Sequence, residues 1–342
     1  MRPIVINQHY IPKSYLKHFG FLVNAKKNKW SLYAMENGGE IERRTTENIC
    51  SVDYLYDLPL VEGEERQFLE HAYEAQADRH FTEIKEFITD DSKTELPSEM
   101  REKILKSCLS LYYRTPKFIE LDQQALEMIQ RLPIAEREHA WKVKKTEILQ
   151  ESIYNFEALY NDKKNCGISV NKSIGKREFI SGDNPVIITN GQRDLSDVLS
   201  PENIVHVPIT PKYSITILPT NETTLNNTFL RYLYDDESVM YRNYDIERLH
   251  QKYLLGSQNA LQAYLNEVPE YKKIVPADHS KVVSIEKRVI AGNHLLKIME
   301  KSQGIITKEF KEQFNWYWNN LDGFKDDPNC VQFKKRIDSE LG

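Results

Sequence analysis

Three short stretches carry side chains suited to acid–base chemistry. The first is "INQHYIPKSYLKHFG", residues 6–20, where His9 stands between Gln8 and Tyr10. Pro12 fits the first turn of a helix continuing through Tyr15, Leu16 and Phe19. The free N–H groups of that turn attract anions and disfavour a protonated imidazole, which would suit His9 to general-base work. The plainer alternative is a histidine that only bonds its own loop. The second is Arg114 in "LSLYYRTPKF", flanked on a helix by Leu111 and Phe118. A buried guanidinium needs an anionic partner, either a protein carboxylate or a ligand phosphate held by its planar fork. Pro116 ends or bends the helix beside it and frees carbonyls there. The third is Asp183-Asn184-Pro185 in "EFISGDNPVIITN". Gly182 breaks the preceding strand and Pro185 holds Asn184 extended, so a carboxylate and an amide project from a rigid turn. Ordinary turn chemistry accounts for the same residues.

Composition limits what these groups can serve. The chain has 342 residues, 40% of them hydrophobic and 28% charged, which fits a globular protein with a sizeable core. A net charge of −5 excludes a polycation that coats nucleic acid. The charge is uneven: residues 1–48 hold eight Lys/Arg against four Asp/Glu, residues 62–102 five against thirteen. An anion-binding face would therefore be local and N-terminal. Cys50, Cys108, Cys166 and Cys330 are far apart and lack zinc-ligand spacing, which predicts free thiols, no metal and no cofactor. No signal-like or membrane-length apolar run is present, and a cytoplasmic protein is expected. Walker A, G-x-S-x-G, H-E-x-x-H and G-x-G-x-x-G motifs are all missing. "RQFLEH", Arg66 to His71, has the Arg-x4-His spacing of one ribonuclease class, but five residues along a helix turn His71 away from Arg66.

The elements that must position these groups follow from periodicity. "KWSLYAMENGGEIERRT" reads as a hairpin with Asn37-Gly38-Gly39 in the turn, and "NICSVDYLYDLP" as an extension of that sheet. Helical patterns follow over 65–89, from Pro97 to about Arg114, and over 134–160. "CGISVNKSIGKREFISGDNPVIITN" suggests a hairpin, and "NIVHVPITPKYSITILP" a pair of strands. Helical periodicity returns over 246–265 and in the terminal "KEFKEQFNWYWNNLDGF". The acids at 90–91 and 235–237 read as turns or helix caps. The expected class is α+β: a small N-terminal β-hairpin region, a central helical bundle, an antiparallel β segment and C-terminal helices. One domain over 1–275 and a helical extension over 276–342 are expected.

Taken together, His9-Tyr10-Ile11-Pro12 with Tyr15-Leu16 and Phe19, Arg114-Thr115-Pro116, and Phe179 to Val186 resemble the family catalogued as domain of unknown function 4238. "VPITP" at 207–211 is similar to that family's Pro-Leu-Ser-Pro strand, with Ile209 and Thr210 replacing Leu and Ser. The resemblance spans roughly 7 to 265, and the family's members are mostly uncharacterised bacterial proteins. It implies that His9, Arg114, Asp183 and Asn184 belong to one site. Such a set suggests a metal-independent nuclease or phosphodiesterase acting on RNA, in the setting of a toxin or phage-defence effector. His9 would be the acid or base, Asp183 would orient it, and Arg114 would stabilise phosphoryl charge. Gln8, Lys13 and Lys17 would line the entry, with Tyr10 or Tyr15 stacking bases. The competing expectation is a non-catalytic binding module in which Arg114 pairs with Asp183 inside a fixed core. A nucleotide- or NAD-consuming enzyme is a third. Phe314, Trp316, Tyr317 and Trp318 would serve a protein partner or a homodimer, or else dock on the chain's own core.

Overall fold

The residues that alternate in "KWSLYAME" form a strand, and the turn after it has Asn37 and Gly38 at positive φ (45° and 76°), as the Asn-Gly-Gly sequence requires. The computed structural model describes residues 4–121, 123–189, 203–220, 225–274, 295, 307–320, 324–325 and 328–341. In chain order the strands are β1 (Asn7–His9), β2 (Phe21–Asn24), β3 (Lys29–Glu36), β4 (Ile41–Thr45), β5 (Ser51–Asp53), β6 (Ile168–Ser173), β7 (Ser181–Gly182), β8 (Ile187–Thr189), β9 (Ile204–Pro208), β10 (Tyr213–Ile217), β11 (Phe229–Tyr234) and β12 (Tyr253–Gly256). The helices are α1 (Lys13–Leu16), α2 (Phe68–Gln76), α3 (Phe81–Thr89), α4 (Ser98–Tyr113), α5 (Pro116–Ile119), α6 (Gln123–Arg131), α7 (Ile134–Lys163), α8 (Asp236–Leu249), α9 (Gln258–Ile274), α10 (Lys308–Asn320) and α11 (Pro328–Leu341). The protein is α+β, and among the described strands pairing is antiparallel except between β11 and β6.

Three sheets form. One runs β11-β6-β10-β9-β8, a second β2-β3-β12-β7 with β4 also on β3, and a third is the ribbon β1-β5. The expected 204–217 strand pair is β9–β10. Several expectations are corrected. β5 does not extend the β3–β4 hairpin; it pairs with β1, with His9 opposite Ser51. The segment 166–190 is no hairpin, because β6 and β7 join different sheets. The 246–265 pattern is the end of α8, then β12, then the start of α9. The 65–89 helix is interrupted at Asp78–His80, where the chain tightens into a 3₁₀ turn. The Ala77 carbonyl accepts both the His80 N–H of that turn (3.1 Å) and the Ser107 hydroxyl of α4 (3.0 Å).

Asp235 caps α8 by accepting from the Ser238 N–H (2.8 Å), as its position predicts. The main core packs α2, α3 and α4 on the β6–β10–β9 sheet through residues such as Tyr73, Phe81, Leu109, Val170 and Ile215. A second cluster seats α8 and α9 against β12 and β3 through Ile246, Leu254, Leu261 and Met35. The C-terminal aromatics build a cluster of their own with Leu295, Phe310, Phe324, Phe333 and Ile337. Phe314 is buried in it and Tyr317 and Trp318 pack against it, so of the four expected interface aromatics Trp316 alone is exposed. All four cysteines are buried. No described helix is long and apolar enough to cross a membrane.

Candidate functional site

Arg114 sits one residue past α4, where Pro116 prevents the helix from continuing. It is fully buried, and its fork is occupied by the chain itself. Nη1 and Nη2 grip both oxygens of Asp78, Nη2 also donates to the His9 carbonyl (2.7 Å), and Nε donates to the Tyr56 hydroxyl (3.2 Å). Tyr56 in turn donates to the Arg114 carbonyl (2.9 Å), and the Tyr112 carbonyl that Pro116 frees accepts from the Thr115 hydroxyl (3.3 Å). The guanidinium also lies 4.8 Å from the centre of the Tyr73 ring. Burial alone would lower it, but the Asp78 carboxylate and the Tyr56 hydroxyl prevail and hold it above its ordinary value.

His9 lies on β1, opposite β5, and not in a helix-entry turn open to solvent. Pro12 is the residue ahead of α1 and that helix is a single turn, so it presents no N-terminal anion site of consequence. The imidazole is buried, with Nε2 3.0 Å from the Thr46 carbonyl. A carbonyl only accepts, so Nε2 carries the proton. Burial first, then the charges of Lys13 and Arg114, lower this histidine to about 4 and keep it neutral. Gln8 points the other way and is buried. Its Nε2 donates to Asp57 (2.8 Å) and its Oε1 accepts the Tyr56 N–H (2.6 Å). Lys13 is exposed, and Lys17 lies over the Trp30 ring (5.9 Å).

Asp183 closes the other end of the cluster. Its Oδ1 accepts the Gln251 N–H (2.8 Å), and its Oδ2 those of Lys252 (2.8 Å) and Tyr253 (3.2 Å), binding the α8–β12 turn to β7. Asn184 donates to the Leu249 carbonyl (3.2 Å). The structure thus joins His9 to Arg114 through main chain, and brings Asp183 close enough to Tyr10 and Cys50 for its charge to act on both. Asp183 bonds neither the His9 imidazole nor Arg114. The expected orienting contact and the expected Arg114–Asp183 pair are both replaced, because Asp78 lies nearer the guanidinium and the backbone donors nearer Asp183. Tyr10 and Tyr15 cannot stack on a base. Both are buried, and the Tyr15 hydroxyl donates to the Pro208 carbonyl (2.6 Å) and shares a hydrogen bond with Ser181 (2.8 Å).

A family model matches residues 7–230, more than half of the chain and the whole span from His9 to Asn184. The chain belongs to the DUF4238 family of proteins of unknown function. The match stops short of 265, so the backbone that saturates Asp183 lies beyond the matched DUF4238 span. No curated protein and no solved structure matches the chain.

Sequence reasoning missed the acidic side of this DUF4238 core. Glu70 and Asp78 face Arg114 from α2 and the turn after it. The only signal was the net-negative run over 62–102, which does not single out either residue. It also missed a cavity of about 120 Å³ lined by Lys117, Thr189, Asp245, Arg248 and Leu249. Two residues of its lining follow directly on the recognised motifs, Lys117 after Arg114-Thr115-Pro116 and Ile187 after the Asp-Asn-Pro-Val run. Among the described residues no group of three or more His, Cys, Asp or Glu has a metal-holding arrangement.

Glu70 gives the cluster a pH dependence. Burial, with Asp78, Glu74 and Asp57 nearby, outweighs Arg114 and raises its carboxyl to about 7. A raised carboxyl contributes stability below its unfolded value near 4.5, and that contribution is lost as pH rises through 7. Glu70→Gln is therefore expected to match the parent at pH 4 and to exceed its unfolding free energy by about 2 kcal/mol at pH 8, allowing for residual solvent. Urea titrations at the two pH values check this. Equal stabilities at pH 8 would place the ionised group in water.

Proposed function

We propose that this chain acts by binding, as a non-catalytic interaction module of a regulatory or defence complex, with its histidine–arginine–aspartate motif serving as internal bracing. The observation that carries this reading is the saturation of Arg114, whose fork is filled by Asp78, the His9 carbonyl and Tyr56. A phosphate would have to displace Asp78 from a guanidinium that is itself fully buried, at a cost of several kcal/mol. Asp183 supports the same reading, since its two oxygens are committed to three main-chain donors.

One observation favours a second reading, phosphodiester hydrolysis with His9 as base. Its imidazole is neutral well below pH 7 and the exposed Lys13 is next to it in charge, a pairing that suits a base beside an anion. The two readings separate in one assay. Purified chain is incubated with single-stranded RNA, nucleoside triphosphates and NAD, with and without EDTA, beside His9→Gln, whose amide can still donate to Thr46. The binding reading expects no turnover that differs between the two proteins. EDTA-resistant cleavage lost in His9→Gln at unchanged Tm would establish the hydrolase instead.

A further inference from the structure

The cavity of about 120 Å³ lies where α5, β8 and the last turn of α8 meet. Pro116 starts the single turn of α5, which buries Ile119 and leaves Lys117 exposed. The chain leaving Pro185 enters β8, where Ile187 and Ile188 are buried. Asp245, Arg248 and Leu249, three and four residues apart, share one face of α8. The Leu249 carbonyl at the end of that helix is taken up by Asn184 Nδ2 (3.2 Å). The lining is divided by chemistry. Ile187, Ile188 and Leu249 give it an apolar wall, and Lys117 and Arg248 give it cations on the solvent side. The buried Asp245 stands between Arg242 (3.9 Å) and Arg248 (3.8 Å), so its one negative charge is already outnumbered. Arg101, Arg114, Arg177 and Arg231 all donate to carbonyl oxygens of the chain. By contrast, among the described residues Lys117 has no side-chain hydrogen bond or ion pair, and Arg248 has no hydrogen bond.

We propose that this cavity binds the last residue of a partner peptide, with its free carboxylate on Lys117 and Arg248 and its aliphatic side chain against Ile187, Ile188 and Leu249. Each half of the lining excludes another class of ligand. Sites for cofactors and drug-sized ligands begin at about 300 Å³, so a nucleotide or NAD is too large for this one. A bare phosphate would use the cations and leave the aliphatic wall without a partner. An uncharged apolar group would fill the wall and leave the cations unused. A chain end carries a carboxylate and a side chain on one carbon atom, which matches a site one residue wide. A free aliphatic acid shares that chemistry without the chain behind it. A free amino acid does not, because its ammonium would be set beside Lys117 and Arg248. This names a ligand for the binding module and rests on that reading.

The test is fluorescence anisotropy of a labelled glycine–serine hexapeptide ending in leucine, titrated with the full chain. A Kd of about 10–100 µM is expected for the free acid, and binding about tenfold weaker or worse for the terminal amide. Ending the peptide in serine should also cost about tenfold or more, because the aliphatic group is then lost. Lys117→Met should weaken the free acid about tenfold at unchanged Tm, since that side chain is exposed and unbonded, and Lys117→Arg should restore it. Unlabelled 4-methylpentanoate separates the two sources. Displacement at the peptide's own concentration assigns the site to a free acid, and displacement only at large excess assigns it to a chain end. Equal binding of acid and amide, indifference to Lys117→Met, displacement by equimolar inorganic phosphate, or no binding up to about 1 mM overturns the proposal. A chain that binds none of these peptides and cleaves no substrate would leave the binding reading in place with another surface. Cleavage lost in His9→Gln would end that reading whatever the peptides do.

Discussion

Arg114→Met is expected to lower the unfolding free energy by about 3–5 kcal/mol, measured by urea titration at pH 7. Methionine fills much of the volume, so the loss would come from the partners left behind. Asp78, with only 21% of its side chain exposed, would keep a charge with no counterion, and the His9 carbonyl and Tyr56 hydroxyl would each lose a donor. Arg114→Lys keeps the charge but cannot span Asp78, Tyr56 and His9 together, so it should recover only part of the loss. Arg114→Met combined with Asp78→Leu should recover most of it, because the stranded carboxylate is then gone. The sign decides between two roles. An arginine kept for a ligand would be strained in the free protein, and its removal would leave stability unchanged or raised. A cost below about 1 kcal/mol would therefore remove the bracing role from Arg114.

The sequence displayed the motifs more clearly than their partners. The β3–β4 hairpin was legible because strand alternation, Asn37 and Gly38 agree locally, and α4 because Pro97 and Pro116 bracket one apolar helix. β12 was not legible. Tyr-Leu-Leu-Gly between two helices suits a helical period equally well, and it is extended because β3 and β7 flank it. The break at Asp78–His80 has no proline or glycine to announce it, yet it is what turns the Asp78 carboxylate onto Arg114. An anionic partner for Arg114 followed from electrostatics alone. Which acid filled that role did not, because Glu70, Glu74 and Asp78 repeat every four residues on one face and only the tertiary fold separates them. The bonds of Asp183 left no trace at all, since its partners are backbone N–H groups that every residue but proline carries.

Those backbone bonds make Asp183 the second position of large effect. Asp183→Ala is expected to cost about 3 kcal/mol and to loosen one place more than the rest. It would leave the N–H groups of Gln251, Lys252 and Tyr253 without an acceptor in a partly buried turn. That turn delivers β12 to its place between β3 and β7, so the sheet should fray from Tyr253. Asp183→Asn keeps the shape and one acceptor oxygen for Gln251, but it turns an NH₂ toward Lys252 and Tyr253, and should cost about 2 kcal/mol. Amide hydrogen exchange separates this bracing from general destabilisation. The amides of 251–253 should exchange faster by a larger factor than those of β10, which lies in another sheet. A carboxylate held for catalysis would give the reverse: Asn and Ala variants with parental stability and unchanged exchange at 251–253, differing from the parent only in turnover.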